Sequence, residues 1–162
     1  MKKVVIKIIL LLGIIIAMVL SLKVRSWAKS VPKNNSFKSY MDERFITVKS
    51  SKQYKLKKQY KLKKNGLYTI KGRYCIAMGS YYAKKIGSKI DLVMTNGYTI
   101  KCILADKKAD YHTDKTNRQS ADGSIVEFIV NKKKLPKKVR RMGDISYIGR
   151  HFQGKIKKVK VR

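Results

Sequence analysis

Three of the nine carboxylates in a chain with forty Lys and Arg fall within one stretch, "LADKKADYHTD": Asp106, Asp110 and Asp114. Asp106 ends an apolar run, "IKCILAD", whereas Asp110 and Asp114 lie in the following loop beside Lys107, Lys108, Lys115 and His112. Zinc needs three or four ligands, and Asp110, His112 and Asp114 offer at most three from a flexible loop. The expectation is therefore no metal and no cofactor, with His112 an exposed loop histidine and Asp110 and Asp114 solvated.

Glu127 interrupts "IVEFIV", five apolar residues in six. In a buried strand it would be desolvated, which raises a carboxyl pKa and suits general acid chemistry near neutrality. The competing expectation is an ion pair with one of the many lysines at a barrel mouth. Asp106, next to Lys107 and Lys108, is expected to be held down and to act as a charged stabiliser. Cys75 and Cys102 differ in strand parity. Cys102 shares a face with Ile100 and Leu104, and Cys75 with Lys71 and Arg73, so free thiols are predicted over a disulfide.

The elements that must position these groups are short strands. "LYTIKGRYCIAM" alternates, with Tyr68, Ile70, Tyr74, Ile76 and Met78 of one parity. "KIDLVMTNGYTIKCILA" reads as a hairpin through Asn96-Gly97, a pair suited to a type I′ turn. "SIVEFIV" is apolar on both faces and should be a central strand. "LPKKVRRMG" is the helix candidate, with Pro136 in its first turn, Gly143 at its stop and a stripe of Leu135, Val139 and Met142. "DISYI" and "GKIKKVKVR" are predicted as closing strands. The sum is a mainly all-β fold over residues 67–162: a small six-stranded barrel with one short helix.

Residues 1–28 look like a signal peptide or membrane anchor. A basic start precedes fifteen uncharged, mostly apolar residues from Ile8 to Leu22, a length between a signal-peptide core and a spanning helix. This run is expected to form an apolar helix ahead of the barrel. Residues 29–66 read as a basic polar tether, with "FITV" its only strand-like piece before the repeat "QYKLKKQYKLKK" (53–64). There Tyr54, Leu56, Tyr60 and Leu62 alternate with lysines, which is a strand period.

The quoted residues carry a resemblance. "CIAMGSYYAKKIGSKIDLVMTNGYTIKCILADKKA", "GSIVEFIV", a short helix and "MGDISYI" together resemble the double-psi β-barrel, nearest the three-aspartate (3D) and rare-lipoprotein-A-like domains of bacterial cell walls. The resemblance covers roughly residues 67 to 150. It implies a domain that binds peptidoglycan or cleaves it as a lytic transglycosylase, one carboxyl serving as acid and base while the sugar's own hydroxyl attacks. Asp106 matches the aspartate ending the middle strand, and Glu127 that of the later strand, so these two are the implied catalytic residues. Met78-Gly79 stands where the first aspartate is expected, and Lys107-Lys108 replaces a common Thr-Gly.

The formal charge of +31 favours anionic polymers or surfaces as partners. Lysines outnumber arginines four to one, which fits diffuse attraction better than bidentate base reading. A nucleic-acid partner is disfavoured because no reading helix or RNA-binding signature appears. The expected protein is exported or membrane-anchored, on the extracellular side of the envelope. It acts on peptidoglycan glycan strands, or else is a non-enzymatic cationic module for anionic wall polymer or lipid head groups.

Overall fold

The computed structural model describes residues 27–162; the expected N-terminal apolar helix lies outside them. The fold is mainly β, a mixed nine-stranded sheet with two short helices. The strands are β1 (Trp27–Lys29), β2 (Ser39–Asp42), β3 (Lys61–Leu62), β4 (Tyr68–Ile70), β5 (Arg73–Met78), β6 (Lys89–Met94), β7 (Thr99–Lys107), β8 (Glu127–Val130) and β9 (Ile156–Val161). The helices are α1 (Lys52–Lys57) and α2 (Lys137–Met142). Among the described residues, no helix is long and apolar enough to cross a membrane.

Strand β5 is the centre. Cys75, Ile76, Ala77 and Met78 are all fully buried, as a strand covered on both faces requires. One edge pairs in parallel with β7. The other pairs antiparallel with β4 at residues 73–74 and with β8 at residues 76–77. The larger core, including Ile76, Met78, Leu92, Leu104 and Phe128, fills one side of the sheet. A smaller cluster of Ile70, Cys75, Ala77, Ala105 and Ile129 fills the other.

"LYTIKGRYCIAM" is thus two strands rather than one. Lys71 and Gly72 take φ of 46° and 76°, the pair of left-handed conformations that a two-residue type I′ hairpin demands. The reversal pairs Ile70 with Arg73, so Ile70 joins Cys75 and Ala77 on one face while Tyr74, Ile76 and Met78 take the other. At Asn96-Gly97 only the glycine has positive φ. Gly97 N–H bonds Met94 O and Met94 N–H bonds Tyr98 O, giving a three-residue loop in place of the expected type I′ turn.

The segment read as a tether is folded. β1 pairs with β9, and β2 runs parallel to β8. Asn35 is buried and bonds both the N–H and the O of Ile156 through its side chain (3.1 and 2.8 Å). Its polarity is satisfied by chain 121 residues away, which local composition cannot reveal. "FITV" is not a strand; the strand precedes it.

The first copy of the repeat forms α1 and the second forms β3. Ser51 Oγ accepts from Tyr54 N–H (3.1 Å) and starts the helix. Leu56 and Tyr60, four residues apart, then pack on the smaller core. "DISYI" is a 3-10 turn over Ile145–Ile148 rather than a strand, with Asp144 capping Ser146 N–H at 2.8 Å. α2 follows expectation: Gly143, at φ 68°, ends it. Val139 is buried, although Met142 is exposed.

Lys38 is fully buried. Its ammonium donates to the carbonyls of Ser36 and Gly154, the latter at 3.0 Å, and its main chain bonds Asp144 and Ile145. Burial lowers its pKa to about 8, against the opposing pull of Asp144. Between about pH 8 and the ordinary value of 10.5 the unfolded chain holds this proton and the folded chain does not. Raising pH through that window therefore adds stability. Denaturant unfolding of wild type and Lys38→Met should show wild type gaining on the variant by on the order of 2 kcal/mol across it; a constant difference would refute the assignment.

Both cysteines are free and buried, on opposite faces of the sheet. Desolvation pushes Cys75 up to about 12 and Cys102 well above its ordinary value. A thiol reagent should modify neither in the folded protein and both after unfolding, read by mass spectrometry.

Candidate functional site

Asp106 and Glu127 are brought together by one residue of β5. Ala77 pairs with Asp106 on β7 and with Glu127 on β8. Residues directly opposite share a face of a sheet, so the three form a row across adjoining strands. With strands about 4.8 Å apart, the outer two Cα atoms stand about 10 Å from each other. The register of β5 against β7 shifts between Ile76 and Ala77, and this bulge brings Asp106, rather than Ala105, opposite Ala77.

Both carboxylates line a cavity of about 510 Å³ with Met41, Lys108, His112 and Asp122 around it. Alanine at position 77 leaves that space open. Burial raises the pKa of Asp106, opposed by hydrogen bonds from the Lys107 main chain and the Gln53 side chain. This corrects the expectation that neighbouring lysines hold Asp106 down. Lys108 turns instead to Glu127, its ammonium 2.5 Å from Oε1.

Glu127 is accordingly half-buried and ion-paired, the second of the two expectations for it. The side chains of Lys108 and Glu127 are 9% and 20% exposed. The ammonium also acts on Asp122. Burial works upward on Asp122, but bonds from Ser124 Oγ (2.7 Å) and N–H (2.9 Å), together with Lys108, hold it below its ordinary range.

Two contributors come from the segment read as a tether. Gln53 lies on α1, and Tyr60 follows that helix. Tyr60 is stacked on Tyr68 at 5.3 Å, its hydroxyl buried, and desolvation pushes its pKa up, with the charge of Asp106 adding to the effect. Gln53 carried no signal in the sequence, and Tyr60 showed only as one of the apolar positions alternating with lysines in the repeat.

Asp110 and Asp114 stay out of the row. Asp110 accepts from Ser80 Oγ at 2.8 Å. Asp114 accepts from the N–H of Thr116 and of Arg118 (3.2 and 2.8 Å). Burial pushes its pKa up, but these bonds, with those from Thr116 Oγ1 and the Gln119 N–H, together hold it below its ordinary value. Both are exposed, as expected, but they shape the loop that packs over Gly79. A Cβ at Gly79 would meet the Asn117 carbonyl oxygen at 2.1 Å, so no side chain fits at that one of the two positions, Met78-Gly79, where the resemblance expected an aspartate. His112 is exposed and stacked edge-on against Tyr111.

Comparison with protein-family models, curated proteins and solved structures finds no match.

An acid whose folded pKa lies above its unfolded value binds more protons folded than unfolded between the two. Asp106 therefore costs stability increasingly as pH rises through that window. Asp106→Asn should be more stable than wild type at neutral pH, and the advantage should shrink as pH falls toward about 4, the ordinary aspartate range. Thermal unfolding against pH checks this; an Asn variant less stable than wild type at every pH would contradict it.

Proposed function

We propose that this chain is an exported or membrane-anchored bacterial cell-wall protein. In this reading its sheet is a double-psi-type β-barrel that cleaves or holds peptidoglycan glycan strands on the extracellular side of the envelope. The observation that carries the reading is the row Asp106–Ala77–Glu127 facing one 510 Å³ cavity. Support for the barrel comes from its two parallel pairs, β5–β7 and β2–β8. The Asn35–Ile156 bonds also draw the start of the β2 segment toward β9.

The chemistry follows from the two environments. Burial favours the protonated form of Asp106, which donates that proton to the glycosidic oxygen as the anomeric C–O bond breaks. The sugar's own hydroxyl then attacks the anomeric carbon and returns its proton to the Asp106 carboxylate. Glu127, across the alanine gap, stabilises the positive charge that develops on the ring.

One observation favours a second reading, a non-enzymatic cationic module for anionic wall polymer or lipid head groups. Lys108 occupies Glu127, and residues 29–162 alone carry +26. The full chain, incubated with purified peptidoglycan, should release fragments detectable by mass spectrometry. Asp106→Asn should abolish release and leave wall binding intact, and Glu127→Gln should do likewise. Undiminished release by Asp106→Asn would overturn the catalytic assignment. No release by wild type, with binding that weakens steeply as salt screens charges beyond about 8 Å, would leave the cationic module.

A further inference from the structure

A second cavity, of about 500 Å³, is lined by Arg73, Lys85, Ser88, Lys89 and Arg162 among others, and no acidic side chain lines it. Its arginines are held in place from beneath. Asp91, nearly fully buried, takes Arg73 on Oδ1 and Arg162 on Oδ2, the latter at 2.8 Å. Arg73 also donates to the carbonyls of Cys102 (2.7 Å) and Ile90 (3.1 Å). These bonds use Nε and Nη2 of each guanidinium. Among the described residues, Nη1 of each has no protein partner, nor do the ammonium groups of Lys85 and Lys89. Two guanidinium groups share one carboxylate, so positive charge is left over. Oriented guanidinium groups with free N–H donors suit the several acceptor oxygens of a phosphate.

The position of the cavity indicates where such a phosphate comes from. Trp27, Val161 and Ile90 form one row across β1, β9 and β6, with Trp27 about 10 Å from Ile90 and Lys89 and Arg162 next in chain. Trp27, the single tryptophan, is 68% exposed. Four residues separate it from the apolar run that ends at Leu22, a reach of at most about 18 Å. A run held in a bilayer thus keeps Trp27 and the cavity at the headgroup layer, where tryptophan is favoured. This step rests on the membrane-anchored form of the reading above.

The geometry points to a site for the phosphate of an anionic lipid headgroup in the Arg73–Lys85–Lys89–Arg162 cavity, with Trp27 entering the interface beside it. Trp27 emission reports whether this edge of the sheet enters the interface. The full chain is mixed with phosphatidylcholine vesicles with and without phosphatidylglycerol, and flotation, emission and acrylamide quenching are measured.

Phosphatidylglycerol should shift the emission to the blue and reduce quenching. Lys85→Ala/Lys89→Ala should lose both effects, and Lys132→Ala/Lys133→Ala should keep them. Flotation on both vesicle types with identical quenching would sink the headgroup site and leave the anchor standing. Without flotation on neutral vesicles the anchor fails, and the site stands only if phosphatidylglycerol recruits the chain through Lys85 and Lys89. An equal loss in the Lys132/Lys133 variant would reduce the effect to diffuse charge. The same emission shift with inorganic phosphate alone would replace the lipid by free phosphate.

Discussion

The hydrogen bonding of β5 on both edges is the constraint on which the other features depend. A strand paired to β7 on one side and to β4 and β8 on the other has no free edge, and its residues from Cys75 to Met78 are buried on both faces. The two cores form because Ile76 and Met78 point one way and Cys75 and Ala77 the other. The same pairing fixes the candidate site: a carboxylate opposite Ala77 on each flanking strand must face the space that Ala77 leaves. A one-residue slip of either partner would move its carboxylate to the other face.

A chain this cationic uses its few carboxylates as ties. Asp91 joins Arg73 to Arg162, Glu43 takes Lys57, and Glu127 takes Lys108. Asp42 accepts from Arg44 (2.8 Å) and from the Lys132 main chain (3.2 Å), linking the end of β2 to the segment after β8. Each of these carboxylates sits among cations that would otherwise repel one another. Asp106 differs. Its partners are an amide side chain and a main-chain N–H, so burial rather than a countercharge sets its proton affinity. Of these two carboxylates in one cavity, burial raises the proton affinity of one and an ammonium ties the other.

The segment before β4 shows why composition misleads about layers. Residues 29–66 are polar, yet Asn35, Lys38, Ser39 and Asp42 are buried. Each is satisfied by a distant group: Ile156 for Asn35, Gly154 for Lys38, Ser124 for Ser39 and Lys132 for Asp42. Burying polar atoms costs little once their bonds are made, and those partners lie 85 to 121 residues along the chain.

The sequence by itself determined what depends on neighbours in the chain. The mainly β character, the hairpin near Gly97, the helix stopped by Gly143 and the central burial of "EFIV" follow from alternation, turn residues and caps. Opposite parity also separated Cys75 from Cys102 without any knowledge of the fold. Asp106 and Glu127 stood out because each breaks an apolar run. Tertiary structure alone decided what those two share. The bulge after Ile76 turned Asp106 toward Ala77, Lys108 chose Glu127 over its nearer neighbour, and α1 carried Gln53 to Asp106. The six-residue repeat became a helix in its first copy and a two-residue strand in its second, with Leu56 on the helix and Tyr60 after it both packed on the smaller core. Desolvation and ion pairing depend on which atoms end up adjacent in space, and chain order constrains that only weakly.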